Sequence, residues 1–495
     1  MNLMKTILSV DLGAGSGRVM AALYDGSAIR LETVSRFDNT PVEMAGHLYW
    51  NVPSLLQSIR SGLAQAYRTY GEIAAVGVDT WGVDYGLLDS EGRLLSLPYI
   101  YRDKRNTTAN TLEVLNTVGR RNLYNTTGIQ IMDFNTIFQL HAERNEPCSL
   151  LDRADRLLFM PDLMNYYLCG VKENETTIAS TSGLIDLQTG DWNRSLLDIL
   201  RIPSRLLSRP IRPGTVLGKV CGIPGLENTP VIAVGGHDTA SAVASVPADP
   251  ATDWGYLATG TWALMGVETP TPIATDNAYE LNYTHEGAVN GQFRFLKNCT
   301  GMWMIQELRS AWTVGGKAPD YEEMMREAEA AEPFRSFIDP DYSAFMTPGR
   351  LPEKIIEFCR LTNQPEPRTH GEFYRAAMEG IVMRYREVWN ELAMLTGHPR
   401  SVLHIIGGAI RDSMHCRFTA DALGIGITCG PIEGAAMGNA IVQLVGLGEL
   451  SSFEEGRQLV AASTELTRWE PVDPMVWSQV FPAWLARKKN AAGEL

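Results

Sequence analysis

One carboxylate, Asp238, stands near the middle of the chain, in the run Gly235-Gly236-His237-Asp238-Thr239-Ala240-Ser241. A carboxylate within hydrogen-bond reach of a hydroxyl can take its proton as the oxygen attacks, which is general-base chemistry. The flanking residues say how it would be held. Residues 231–234 are apolar and predict a buried strand; residues 239–246 are small and predict the start of a helix. A strand-to-helix turn fixes a side chain and leaves it facing a cleft. An aspartate just before a helix also serves as a cap, and these residues alone leave both roles open.

A second group of residues has phosphate chemistry within reach. Residues 6–11 predict an apolar strand ending in Asp11, followed by the turn Gly13-Ala14-Gly15-Ser16-Gly17. A second strand over 18–24 ends at Asp25-Gly26, a hairpin signal, and a third follows over 28–34. The turn is not a dinucleotide fingerprint, because Arg18 stands where the third glycine should be and the continuation has strand character. No Gly-x-x-x-x-Gly-Lys-Ser/Thr run exists in the chain. Glycines let backbone N–H groups approach phosphate oxygens, and Asp11 could hold a magnesium ion through water. An ordinary glycine-rich hairpin is the other reading.

Around these turns the pattern is alternating α/β. Asn51 and Pro53 open a helix with Leu55, Leu56, Ile59, Leu63 and Tyr67 on its apolar face and Gly71 at its end. A buried strand over 73–79 leads into Thr80-Trp81-Gly82-Val83-Asp84, which puts Asp79, Trp81 and Asp84 at a strand exit, where α/β folds place ligand contacts. Arg102, Asp103 and Arg105 either line the same mouth or form a surface ion-pair cluster. Residues 107–200 read as helices and loops.

The opening plan then recurs. Residues 254–259 and 262–267 predict two strands about a small-residue turn, and a buried strand over 402–406 echoes the one over 75–79. This divides the chain at Pro247-Ala248-Asp249-Pro250 into domains of residues 1–246 and 247–495. Further helices are expected from 301, over 369–395, 412–423 and 434–445, with a short strand at 427–429 and a helical tail from 449. Gly407-Gly408 would let an adenine ring lie against backbone, or would serve close strand–helix packing.

Composition narrows the function class. The chain has 495 residues, 45% hydrophobic and 20% charged, and a net charge of −14. There is no basic run, which argues against nucleic acid or an anionic membrane as partner. No uncharged stretch approaches a membrane span. The seven cysteines form no Cys-x-x-Cys pair, so neither a zinc site nor a redox motif is expected. With a short, aspartate-terminated apolar run at the start, a cytoplasmic protein is expected.

Three stretches carry a resemblance: Asp11-Leu12-Gly13-Ala14-Gly15-Ser16-Gly17-Arg18, Asp79-Thr80-Trp81-Gly82-Val83-Asp84 and Gly236-His237-Asp238-Thr239-Ala240-Ser241-Ala242-Val243. Together with Gly260-Thr261-Trp262, Leu296-Lys297-Asn298 and Gly407-Gly408 they resemble the FGGY carbohydrate kinases, over roughly residues 5–450. The resemblance implies two ribonuclease-H-like domains of the hexokinase and actin type around a central cleft. It implies transfer of the ATP γ-phosphoryl group to a ketose, L-rhamnulose at its 1-hydroxyl, with L-fuculose or xylulose as alternatives and a non-catalytic sugar or nucleotide sensor as a more distant one. Carried over by residue, Asp238 is the base. Gly82, His237, Thr239 and Asn298 contact sugar. Ala14, Gly15, Ser16, Gly17, Arg18, Thr261, Gln306 and Gly408 contact ATP, and Asp11 lies near Mg2+. The N-terminal domain is expected to bind sugar and the C-terminal one ATP. The family often has a third glycine where this chain has Ala409, which puts the Gly408 contact most in question.

Overall fold

In the computed structural model, residues 4–260, 262–313, 316, 319–347 and 349–493 are described. They form two units: Met1–Asp249 with Glu268–Leu296 and Glu433–Glu465, and Pro250–Val267 with Lys297–Ile432 and Leu466–Leu495.

The first unit is built on a six-stranded sheet in the order Ile29–Asp38, Ser16–Tyr24, Lys5–Leu12, Ala75–Thr80, Pro230–Ile232, Val216–Lys219. Lys5–Leu12 and Ser16–Tyr24 are antiparallel, and Ala75–Thr80 runs parallel to Lys5–Leu12 with Asp11 opposite Asp79. Pro230–Ile232 is parallel to Ala75–Thr80. The central strands are buried along nearly their whole length, because helices cover them on both faces, so their sequence is apolar without alternation.

One cover is Val52–Tyr70. The Asn51 side chain accepts from Ser54 N, and the Gly71 N–H closes the other end on Tyr67 O. Its buried face is Val52, Leu55, Ile59, Gly62, Leu63 and Ala66. Tyr67, expected on that face, is 37% exposed. The other cover is Gly434–Gly446, which meets the sheet through polar side chains as well as apolar ones. Gln443 Nε2 donates to Leu8 O at 3.0 Å, Asn439 Nδ2 to Gly77 O at 3.2 Å, and Ser9 Oγ to Ala436 O at 2.9 Å. Gly77 has to be glycine there, since a Cβ would stand 2.4 Å from Val234 Cγ1.

In the second unit Trp254–Thr259 pairs antiparallel with Trp262–Thr269 and parallel with Val402–Gly407. Ile427–Cys429 joins Val402–Gly407 in parallel. The strand–turn–strand plus parallel-strand plan of the first unit therefore recurs, as the sequence pattern predicts. Helix His370–Thr396 is capped by Thr369 and Ser413–Leu423 by Asp412, each side chain accepting a backbone N–H of the first turn. The tail departs from expectation. Thr467–Trp469 forms a strand on Ile427–Cys429 before the last helix, Pro474–Gly493. Among the described residues, no helix is long and apolar enough to cross a membrane.

Candidate active site

Three parallel segments of the first unit end side by side. Leu12 pairs with Thr80, Thr80 bridges to His237, and Thr80 N donates to Gly236 O at 2.9 Å. The chain thus delivers Asp11, Asp79 and Asp238 to one edge of one sheet, the carboxyl ends of its parallel strands.

Asp238 is the first residue of helix Asp238–Ala244, and His237 is its cap residue, without a side-chain capping bond. This overturns the cap reading of Asp238. Its Oδ1 accepts from Thr239 Oγ1 at 3.1 Å, and it makes no bond to a backbone amide of its own helix. The side chain is 31% exposed, the most open of the three carboxylates. The turn before it is held from outside. Glu175, fully buried, accepts Gly236 N at 3.0 Å on Oε2, and Thr177 Oγ1 accepts His237 N at 3.4 Å. Behind His237, Nδ1 lies 3.1 Å from Glu286 Oε2, while Nε2 lies 3.6 Å from Asp238 Oδ1. Glu286 is in turn paired with Arg294, Nη2 to Oε2 at 2.9 Å, and Arg294 is wholly buried.

Asp11 and Asp79 are buried neighbours. Arg18 donates to Asp11 Oδ2 through Nε at 2.9 Å and Nη2 at 2.6 Å, and its Nη1 pairs with Glu433. Burial pushes the Asp11 carboxyl up, and Arg18 only partly offsets this. Asp79 is pushed well up, by burial first and then by the Asp11 charge; Asn439 Nδ2 donates to its Oδ2 at 2.6 Å. Asp79 Oδ1 is buried and has no hydrogen-bond partner among the described residues. The glycine turn between the first two strands is tied down on its carbonyl side, with Asn39 Nδ2 on Gly13 O at 2.9 Å and Asn39 N on Gly15 O at 3.2 Å. A Cβ on Gly15 would meet nothing within 4 Å, so the turn is open to a ligand there. Gly17 has a different reason to be glycine: its Cβ would stand 2.3 Å from the Phe37 ring.

Gly82 lies across from His237, and a Cβ on it would be 3.4 Å from both His237 Nε2 and Thr181 Cγ2. The turn is strained at Val83, a β-branched residue at φ 67°. Asp84 anchors it from below: Oδ2 accepts Trp50 Nε1 at 2.6 Å, Trp81 Nε1 at 3.0 Å and Tyr101 N at 3.1 Å, and Oδ1 accepts Gln139 Nε2 at 2.9 Å. Arg105 is interior rather than part of a surface cluster, with its guanidinium 3.6 Å from the Tyr99 ring centre and paired to Glu143.

The first unit therefore brings together Asp11, the turn Ala14–Arg18, Gly82, His237, Asp238 and Thr239. Asn298, Gln306 and Gly408 belong to the second unit. There Thr259 lies opposite Gly407, with Thr259 Oγ1 donating to Ile406 O at 2.8 Å, so the 260 turn and Gly408 are neighbours. Thr261 lies outside the described residues. Among the described residues nothing lies within 4 Å of where a Gly408 Cβ would be, and Ala409 is buried. Asn298 is half-buried on strand Phe293–Thr300, and Gln306 is exposed on helix Trp303–Thr313. Sequence reasoning gave no role to Glu175, Glu286, Arg294, Glu433 or Asn439. For Glu286 and Arg294 a signal existed: the hairpin about Asn290-Gly291 places the two directly opposite each other.

Residues 6–244 match the N-terminal domain, and residues 255–447 the C-terminal domain, of the FGGY family of carbohydrate kinases. The chain is 40% identical over 481 residues to a rhamnulokinase of Bacteroides thetaiotaomicron, covering 96% of this chain and 98% of that one. It is 38% identical over 467 residues to a rhamnulokinase of Mannheimia succiniciproducens, covering 94% of each. A gluconate kinase of Lactobacillus acidophilus, of known crystal structure, shares the fold with a TM-score of 0.80 at 17% identity, covering 99% of each chain.

Proposed function

The chain belongs to the FGGY family of carbohydrate kinases, and from that premise we propose that it transfers the γ-phosphoryl group of ATP to the 1-hydroxyl of L-rhamnulose, with Asp238 as general base. The observation that carries the base assignment is the state of Asp238. Of the three carboxylates it is the accessible one, and among the described residues no lysine or arginine pairs with it and its one hydrogen bond is from Thr239. The choice of ketose rests on the two rhamnulokinase relatives.

A sugar hydroxyl is a poor nucleophile at neutral pH. Asp238 accepts its proton as the oxygen–phosphorus bond forms and the bond from the γ-phosphorus to the bridging oxygen breaks, releasing ADP, a contribution of about 10²–10⁴-fold. The rigid loop around it holds the hydroxyl in line, which lowers the barrier through orientation. His237, Thr239 and the open Gly82 position bind the ketose in this reading, with Asn298. The turn Ala14–Arg18 binds the ATP phosphates, with Thr261, Gln306 and Gly408 from residues 247–495 on the nucleotide. In this reading residues 1–246 serve the sugar and 247–495 ATP.

The residues present fit a magnesium ion at Asp11 and Asp79. Asp79 Oδ1 is, among the described residues, an orphaned buried oxygen beside a second buried carboxylate, and the Asp11 charge helps to raise the Asp79 carboxyl. Among the described residues no three ligating side chains converge, so the remaining positions would fall to phosphate oxygens and water, the usual mode for this ion. Bound there, it would neutralise phosphate charge.

The test is Asp238→Asn in a coupled ADP assay across a ketose panel. Turnover of L-rhamnulose should fall by at least ~10² with ATP KM within about threefold. Near-normal turnover would remove Asp238 as the base; a preference for L-fuculose or xylulose would overturn the substrate and keep the chemistry.

A further inference from the structure

We infer that Asn439, its amide fixed by Gln443, is a positioning residue: it binds one oxygen of Asp79 and leaves the other, Oδ1, for the divalent cation that this edge fits. The inference rests on the reading above, in which that cation lies at Asp11 and Asp79.

A strand and a helix bring the groups together. Alternation along Ala75–Thr80 puts Gly77 and Asp79 on one face. Helix Gly434–Gly446 meets that face with Asn439 and Gln443, one turn apart. Asp79, Asn439 and Gln443 all have 0% exposure. Gly77 permits the approach, since a Cβ there would stand 3.0 Å from both Asn439 Oδ1 and Gln443 Nε2.

Each amide can point only one way. Gln443 Nε2 donates to Leu8 O at 3.0 Å and to Asn439 Oδ1 at 2.6 Å. A backbone carbonyl only accepts, so Leu8 O holds the Gln443 nitrogen, and not its oxygen, against the strand. Asn439 Oδ1 is thereby taken. Its Nδ2 is turned to Gly77 O at 3.2 Å and to Asp79 Oδ2 at 2.6 Å. Gly77 O is a second carbonyl and enforces the same orientation, so the relay is held against flipping at both ends.

The number of hydrogens decides what Asp79 has left. A primary amide carries two N–H donors. Those of Asn439 go to Gly77 O and Asp79 Oδ2, and those of Gln443 to Leu8 O and Asn439 Oδ1. Neither amide has a hydrogen for Asp79 Oδ1, which is buried with no hydrogen-bond partner among the described residues. Docking a helix gives no reason to bury a carboxylate whose second oxygen stays bare. A bare carboxylate oxygen beside Asp11, its neighbour in the strand register, is the kind of donor a hard divalent cation takes. A ligating carboxylate is ordinarily held by a hydrogen bond of its own, and Asn439 supplies it.

Mn2+ stands in for Mg2+ in the test, because its binding is read from the EPR spectrum with no turnover. It is titrated into the full-length protein mixed with equimolar ADP, and ADP affinity is measured separately in EDTA. In Asn439→Leu the Mn2+ affinity should fall about tenfold or more, the usual effect of removing the hydrogen-bond partner of a metal ligand, with ADP affinity in EDTA within about twofold. Gln443→Met removes only the group that fixes the amide and carries the test if Asn439→Leu does not fold; it should weaken Mn2+ in the same direction, because the Asn439 amide is then free to turn. An unchanged Mn2+ affinity in folded Asn439→Leu or in Gln443→Met, or equal losses of Mn2+ and of ADP in EDTA, overturns the inference. Asp79→Asn reads the ion site itself. A loss of Mn2+ in Asp79→Asn alone overturns the role of Asn439 and leaves the ion at Asp79, whereas no loss in Asp79→Asn overturns both.

Discussion

The helix that carries Asp238 crosses a second helix at very close range. Helix Asp238–Ala244 meets helix Gly434–Gly446 at Gly438, where a Cβ would stand 1.6 Å from Ser241 O and 2.6 Å from Ser241 C. A carbon–oxygen contact settles near ~3.3 Å, so Gly438→Ala forces the two backbones apart by about 1.5 Å or more. Ser241 is one turn beyond Asp238, and the short helix has no slack to absorb the shift. Its own Ser241 Oγ is bonded to Gly235 O at 2.7 Å, which ties the displaced turn to the loop. A misplacement of about 1 Å at a reacting group lowers rate about 10²-fold. Stability should move less. Overpacking costs about 1–3 kcal/mol, and alanine recovers about 1 kcal/mol over glycine in a helix interior. The expected result is therefore a kcat about 10² lower with a melting midpoint only a few degrees changed. Steady-state ADP release and a thermal melt read the two. Gly456→Ala is the control: its Cβ would meet Ile441 Cγ2 at 2.3 Å, a movable side-chain end on the same helix, so it should leave kcat within about threefold. A Gly438→Ala enzyme with near-normal kcat would refute the claim that this crossing aims Asp238.

Three further outcomes are expected. His285 is buried and neutral, accepting Ile273 N on Nε2 and facing Gly128 O with Nδ1, and burial holds its pKa down to about 4. The unfolded chain takes up that proton near 6.5 and the folded one does not, so the stability it contributes is present above pH ~6.5 and is lost as pH falls toward 4, about 3 kcal/mol in all; urea midpoints at pH 7.5 and 5 should differ less in His285→Gln than in the parent, and an equal difference would exclude His285 as the source. Asp84→Asn places an NH2 group among four donors and should lower unfolding free energy by about 2–3 kcal/mol with loss of order around Trp81, read by urea titration and tryptophan emission; an unchanged midpoint would show that the carboxylate is not needed as an acceptor. Gly407→Ala combines φ 100° with a Cβ 2.2 Å from Thr259 O, so it should lower stability by about 2 kcal/mol or more and raise ATP KM over ketose KM; the reverse ratio would take this turn away from the nucleotide.

The strands were legible in the sequence because the centre of each sheet is covered on both faces and so reads as an unbroken apolar run. The internal repeat was legible for the same reason: Ala75–Thr80 and Val402–Gly407 carry the same pattern and take the same place beside the first strand of their unit. What failed was local. Asp238 has the residue type of a cap and sits where a cap would, yet the cap position falls on His237, because the bridge from Thr80 to His237 carries the extended chain one residue further. Arg294 lies between Phe293 and Phe295, and alternation would send it to solvent. It is buried because its hairpin packs against the His237 loop, a contact between residues 57 apart that no local window contains.

Three departures from the ordinary rules of folding lie together at one edge. Asp11 and Asp79 are like charges placed side by side in a parallel register, one of them with an orphaned oxygen. Val83 is β-branched in a left-handed conformation, a strain of about 1–3 kcal/mol. Gly438 leaves no space for even a methyl group. The first two are losses of stability that a sequence selected for folding alone would shed by one substitution, Asn for Asp79 and Gly for Val83. All of them adjoin the edge where Asp238 is exposed. Elsewhere in the first unit, buried polar groups such as Asp84 and Glu175 have their acceptor sites filled. The edge thus joins an orphaned carboxylate oxygen, a strained turn and a close helix crossing to one accessible carboxylate, which suits a site that binds charge and moves a proton.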